Sequence, residues 1–434
     1  MTRQSLRSLE RRLQHFLEDL TSAMGRRERR HWAEVYVRGL LLDGERKSIE
    51  PMAARIPGAD VQALRQFVGQ SPWEVHEVER RLAHKVVDLL SEPEVWILDE
   101  TAFPKAGQHS VGVGRQYCGT LGKVANCQVA VSLHWSSAEA SCPLAWRLYL
   151  PQAWIEDRAR AAEVKLPPGQ PYRTKTELAL ELIDQMIRWE VPRLPVVADA
   201  FYGNDFGFRQ QLQERQLAYV LEVEPTTVVW TEDPNLPLPP HKRTGRPRQY
   251  PPLAALPRPQ DLLTVAQQFP ATAWRTVAWR EGTQGIERSR FAQRRVWAAH
   301  GWRKQEHPPR RAEWLLVEWP KGAERPTKYW LAQLGEPPVG WRRLVRLARA
   351  RWRVELDYRQ LKEELGLDHY EGRQWSGWYH HVCLVSIAYA FLRSEQVRLK
   401  KNFWCDLDPT PGAEGAGGDA DWAHGPLPLV PDKL

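Results

Sequence analysis

Two short apolar runs, each ending in an aspartate, constrain what this chain can fold into more than any other feature. Val95-Trp96-Ile97-Leu98-Asp99 and Pro195-Val196-Val197-Ala198-Asp199 carry no polar residue before the acid. Runs of that length and composition are strands buried on both faces, as in a sheet covered by helices. The segments around them agree. Residues 126–135 alternate as a strand does, and 144–150 and 218–223 are further strand candidates. Thr174-Lys175-Thr176-Glu177 makes a capping box that opens a helix through Trp189, and 206–216 fits another helix. Strands and helices in this order predict an α/β fold with a mixed sheet flanked by helices.

The flanking regions differ in character. Residues 1–90 read as helical: Leu6, Leu9, Leu13, Phe16, Leu17 and Leu20 recur at helical spacing. A stretch like a helix–turn–helix spans 48–68, with Asp60 placed to cap its second helix and Arg55 and Arg65 placed to reach phosphates. A plain helical bundle with solvated basic faces accounts for the same pattern. Residues 91–223 hold the first part of the α/β core, and 224–332 read as a β-rich insertion with a basic, Pro-rich loop. Residues 333–405 resume the core with C-terminal helices. The tail, 406–434, is Gly, Pro, Ala and acid, and is expected to be disordered.

With 434 residues and a net charge of +8, the chain has room for two or three domains at about 150 residues each. The basic balance points to a polyanionic partner. No apolar run is long enough to span a membrane, and the first residues have no apolar signal core, so a cytoplasmic, nucleoid-associated protein is expected. The five cysteines are scattered without a CxxC pair, which disfavours a disulfide framework and a thiolate zinc site.

The chemistry-bearing residues converge on carboxylates. A long helix is predicted over 340–365, stopped by Gly366. On it Arg351, Glu355 and Lys362 are spaced to share one face, opposite an apolar stripe that includes Val354, Leu361 and Leu365. Alone, that face could be an intrahelical ion-pair ladder. Joined by Asp99 and Asp199, Glu355 completes a set of hard oxygen donors suited to Mg²⁺ or Mn²⁺. Two such ions can activate a water or a 3′-hydroxyl at a phosphodiester. Arg351 and Lys362 would then hold the phosphate backbone.

The segment Arg351-Trp-Arg-Val-Glu355-x6-Lys362 resembles the Arg-x3-Glu-x6-Lys part of the signature of bacterial insertion-sequence transposases of the DDE, RNase H-like class. The segments ending in Asp99-Glu-Thr101 and Asp199-Ala200 look like that family's two aspartate strands. The runs from Lys105 to Gln128 and from Glu364 to Arg373 are similar to its DDE superfamily endonuclease subgroup. The resemblance implies an RNase H-like core with catalytic, metal-binding Asp99, Asp199 and Glu355 and two Mg²⁺ or Mn²⁺ ions. It further implies binding of terminal inverted repeats in double-stranded DNA, phosphodiester hydrolysis, and joining of the freed 3′ ends to target DNA by a homodimer. The full signature has Tyr three residues before the Arg; here Ala348 stands there, so that phosphate contact is absent or supplied elsewhere, with Tyr358 as the candidate. In the hairpin-forming branch a Trp before the glutamate helix stacks on a flipped base, and the register assigns that place to Trp330. Inward packing of a strand residue is the other reading of Trp330.

Several cations are candidate DNA contacts. Lys105, Arg115 and Lys123 follow the first aspartate and could line a DNA channel or be plain surface charge. Arg246 and Arg248 sit in a Gly-Arg-Pro-Arg core like a minor-groove arm, or in a basic linker. Arg288, Arg290, Arg294 and Arg295 would add salt-dependent phosphate contacts. Glu100 and Asp205 are further possible ligands. A metal-dependent nuclease without strand transfer, and a non-cutting DNA-binding descendant of a transposase, are the alternative functions.

Overall fold

The computed structural model describes residues 3–90, 92–235, 255–282, 285–301, 311–335 and 339–406. Arg246, Arg248, the loop around them and the acidic tail lie outside the described residues.

Five helices open the chain: α1 (Arg3–Thr21), α2 (Arg27–Leu41), α3 (Ile49–Ala53), α4 (Val61–Gln70) and α5 (Val75–Leu89). Strands β1 (Pro93–Pro104), β2 (Gly114–Cys118), β3 (Lys123–Ser137) and β4 (Ser141–Leu148) follow, then helices α6 (Gln152–Glu156), α7 (Arg158–Glu163) and α8 (Lys175–Arg188). Next come β5 (Val196–Ala198), α9 (Ala200–Gly203), α10 (Phe206–Glu214) and β6 (Tyr219–Val223). The β-rich stretch comprises β7 (Val228–Trp230), β8 (Gln260–Asp261), α11 (Leu262–Gln267), β9 (Arg275–Gly282), β10 (Gly285–Ala298), β11 (Glu313–Trp319) and β12 (Lys328–Gln333). Helices α12 (Trp341–Ala348), α13 (Trp352–Glu363) and α14 (Trp375–Asp406) close it.

The chain divides into two compact units. One holds the residues up to Glu94, Leu98–Pro192 and those from Trp352 onward; the other holds Val95–Ile97 and Arg193–Arg351. Strand β1 therefore contributes to both.

In the first unit β3 lies beside β1 and pairs antiparallel with β2 through its first residues and with β4 through its later ones. Helix α14 carries apolar residues around its circumference, including Trp378, Val382, Leu384, Val385, Ile387 and Ala388, all buried. A helix apolar on every side must be surrounded, and α14 packs against β4, α2, α4 and α5. Polar anchors fix it: His381 bonds Tyr36 Oη at 2.8 Å, and His380 Nδ1 bonds the Val68 carbonyl at 2.7 Å while its ring stacks on Trp73. In the 48–68 stretch Asp60 caps α4, accepting from Ala63 N at 2.7 Å. Arg65 pairs there with Glu50, and Arg55 donates to the Arg46 carbonyl. The capping box at Thr174 is formed as its spacing requires.

In the second unit the first part of β1 runs parallel to β5, and β5 runs parallel to β6. Antiparallel strands continue outward from β6 through β12, β11 and β10. Strand order β4-β3-β1 in one unit and parallel β1-β5-β6 in the other is that of the expected RNase H-like mixed sheet. Around the outer strands an apolar cluster gathers Val223, Val229, Leu262, Val265, Val296, Leu315, Val317, Tyr329 and Leu331.

The long helix expected over 340–365 is broken. Helix α12 stops at Ala348, residues 349–351 form a turn, and α13 starts at Trp352. No Gly or Pro stands in that turn, so tertiary contacts override helix propensity. Arg349 pairs with the buried carboxylate of Glu318 and lies over the Trp279 ring at 5.0 Å. Gly366 ends the second helix with φ of +64°, as a C-terminal glycine does.

Candidate active site

Asp99 lies on β1, buried at 5% exposure, and its Oδ1 accepts the Glu100 backbone N–H at 2.9 Å. The neighbouring Glu100 is engaged elsewhere, paired with Lys175 Nζ at 2.7 Å. Helix α13 reaches the same strand through one side chain: Lys362 Nζ donates to the Ala102 carbonyl at 2.8 Å and to Thr120 Oγ1 at 3.1 Å. The sequence assigned Lys362 to a phosphate; here its ammonium binds protein oxygens, and burial lowers its pKa. Glu355 sits exposed in the first turn of α13.

Beneath it is a polar network that sequence reasoning missed. Asp357 Oδ2 bonds His134 Nδ1 at 2.9 Å, His134 Nε2 bonds Ser132 Oγ at 2.9 Å, and Ser132 Oγ bonds Tyr358 Oη at 2.7 Å. Ser141 donates to the same Asp357 oxygen, while Tyr389 and Arg393 donate to the other. Burial pushes this carboxyl up, but the His134 hydrogen bond and charge, with Arg393 and Ser141, outweigh it and hold its pKa at about 2. The Ser132–His134–Asp357 order is that of a hydrolytic triad, yet all three residues are 0% exposed. No substrate reaches them; the network fastens α13 to β3 and β4. The available signal was an acid three residues after Val354 and four before Leu361, on the apolar face. The same network removes Tyr358 as a phosphate contact, since its hydroxyl is buried against Ser132.

In the second unit Asp199 follows β5 and caps α9, accepting from Phe201 N at 3.1 Å. Burial raises its pKa, and the nearby Arg351 guanidinium opposes that rise. Arg351, in the turn before α13, is thus an electrostatic partner of the second aspartate. Gly203 seats the loop: a Cβ there would lie 1.8 Å from the Glu222 carbonyl oxygen. Asp205 caps α10 through Phe208 N.

In the parallel pair of β1 and β5, Trp96 faces Val196 and Ile97 faces Val197. Each aspartate comes two residues after the last of these pairs.

Trp330 corrects the base-stacking expectation. It is 1% exposed on β12, paired with Glu222 and Leu316 on its neighbours, with Phe291 at 6.4 Å and Arg349 over its ring. A side chain in that position packs the sheet. Lys105 is also occupied, its Nζ donating to the Tyr370 carbonyl at 2.7 Å. Arg115 and Lys123 are exposed. On the insertion strands Arg290 lies over Trp319 and Arg295 over Trp314.

Carboxylate oxygens are the right donors for a hard divalent cation, and the partly buried Asp199 is an acid whose charge a cation would relieve. Among the described residues, however, no group of three or more His, Cys, Asp or Glu is gathered closely enough to hold a metal ion. Nor, among them, is any helix long and apolar enough to cross a membrane.

The sequence profile of the DDE superfamily endonuclease family matches residues 15–286, more than half of the chain. The chain belongs to that family. The matched span contains Asp99 and Asp199 and ends before Arg351 and Glu355. A probable transposase for insertion sequence element IS701 from Microchaete diplosiphon is 31% identical over 188 residues, which cover 43% of this chain and 46% of that protein. The chain thus spans about half the length of this curated relative. Among solved structures, a piggyBac transposase synaptic complex with hairpin DNA aligns over 93% of this chain and 84% of its own, with a TM-score of 0.38 and 10% identity.

Proposed function

We propose that this protein is a DNA transposase that binds the terminal inverted repeats of a mobile element, hydrolyses the phosphodiester there and joins the freed 3′ end to target DNA. The observation that carries this reading is the register of β1 and β5, after which two carboxylates follow in step. Family membership and the similarity to an insertion-sequence transposase support it. Asp99, Asp199 and Glu355 would hold Mg²⁺ or Mn²⁺, which when bound supply an activated water or 3′-hydroxyl and stabilise the leaving oxygen. Arg351 steadies Asp199 and offers its fork to a phosphate. Lys362 acts by holding α13 to β1. Arg115, Lys123 and the arginines at 246 and 248 add cationic contacts to duplex DNA, and a homodimer brings two element ends together.

Asp99→Asn, Asp199→Asn and Glu355→Gln should each reduce Mg²⁺-dependent cleavage of terminal-repeat DNA by at least about 10³-fold, on the order of 4 kcal/mol, with DNA affinity little changed. A variant that still cuts takes its residue out of the site. Supplying pre-cut ends and a plasmid target separates a transposase, which yields joined products, from a nuclease, which does not.

A further inference from the structure

The β2–β3 hairpin is a built element with an unusual outer face. Its inner side packs on a small buried cluster of Ala102, Cys118, Cys127 and Val129. Gln116 Nε2 donates to the Cys127 carbonyl at 2.9 Å, and Thr120 Oγ1 to the Ala102 carbonyl at 3.2 Å. Lys362 ties the tip to α13 through Thr120. Yet the outer side presents Tyr117 at 60%, Leu121 at 47% and Val124 at 56% exposure, three of the most exposed large apolar residues described. Tyr117 and Val124 are direct cross-strand partners, and Arg115 shares the Tyr117 face. Arg115 flanks the apolar residues on their own face, Lys123 stands at the tip opposite Cys118, and both are exposed. From Thr101 to Ala138 the chain carries no Asp or Glu.

An apolar tip on a fixed hairpin, flanked by cations and free of acids, suits a polyanion with separable apolar layers. We infer that Tyr117, Leu121 and Val124 form a wedge that enters duplex DNA between unstacked base pairs while Arg115 and Lys123 hold the flanking phosphates. Apolar wedges of this kind recover the energy of unstacking by burying themselves against base faces. The hairpin follows the strand that bears Asp99 after the connection 105–113, its tip bonds the Ala102 carbonyl of that strand through Thr120, and Lys362 fastens it to the helix that bears Glu355, so the wedge acts beside the scissile region. This inference rests on the DNA reading above and assigns to the hairpin the distortion that the buried Trp330 is unable to perform.

The test uses the full-length protein with two 40-base-pair probes of one sequence, fully paired or carrying a two-base mismatch bubble. Wild type should bind the bubble about 10-fold more tightly, since pre-opened DNA spares the unstacking cost. Tyr117→Ala and Leu121→Ala should bring the two affinities nearly level. Arg115→Gln with Lys123→Gln should instead weaken both probes alike and reduce the salt slope by about 2. Because these side chains are exposed, unchanged thermal unfolding should accompany each variant. Apolar variants that retain the full preference for the bubble overturn the wedge, as do variants that bind both probes normally but lose self-association in sedimentation, which would mark a protein contact. A protein that cuts repeat DNA yet binds both probes alike loses the wedge and keeps the transposase reading. One that prefers the bubble through Tyr117 but never cuts or joins does the reverse.

Discussion

At the scale of single residues, burial separates side chains that reach a substrate from those that build the scaffold. Trp330, chosen for its place before the glutamate helix, is enclosed between strands with Phe291 and Arg349 against its ring. Trp330→Ala should therefore lower unfolding free energy by about 3–5 kcal/mol, the usual cost of emptying a large aromatic site. Denaturant titration measures this directly; a loss below about 1 kcal/mol would place the ring outside the core. Tyr117, with the opposite exposure, carries no such structural role. Neither assignment was legible from residue type, because an aromatic in a strand obeys the same alternation whichever face is covered.

At the scale of elements, more of the fold was legible. Uninterrupted apolar runs located β1 and β5, and the Thr174 box and Asp60 cap placed the starts of α8 and α4, since these signals are local. The break between α12 and α13 was not legible, because its cause is a contact of Arg349 with Glu318 and Trp279, distant in the chain. Asp199 could be chosen as a strand-end acid, but Asp99 lies within β1, which runs on to Pro104; the His134–Asp357 network depends on which faces of β3 and α13 meet. Helix α14 offers an element-scale prediction. Burial pushes the pKa of His380 down to about 4 and that of His381 to about 3, so both are neutral in the folded chain. In the unfolded chain they titrate near about 6.5. As pH falls below that value the unfolded state takes up protons the folded state refuses, and stability declines toward pH 4. His380 alone should contribute about 2 kcal/mol of loss between pH 7 and pH 5. Urea midpoints at the two pH values test this, and His380→Gln should remove about half of the loss that the two histidines contribute together.

At the scale of the whole molecule, charge and metal affinity are the measurable consequences. If Asp99, Asp199 and Glu355 hold the divalent ion as proposed, its binding stabilises the folded chain. Mn²⁺ or Ca²⁺ at ten times its Kd should add about 1.4 kcal/mol to the unfolding free energy in the absence of DNA. Asp99→Asn, Asp199→Asn and Glu355→Gln should each abolish that gain in a thermal-shift titration. An undiminished gain in all three variants would put the ion elsewhere.

The turn at residues 349–351 changes how the spacing from Arg351 to Glu355 is to be understood. Four residues along one cylinder would lock the two side chains at a common angle. Arg351 closes that turn and α13 starts at the next residue, so the guanidinium answers to Asp199 while Glu355 rides in the first turn of a helix held to β1 through Lys362. Identical letters in another chain therefore carry the same meaning only where the local anchors recur, Glu318 and Trp279 for the turn and His134 and Ala102 for the helix.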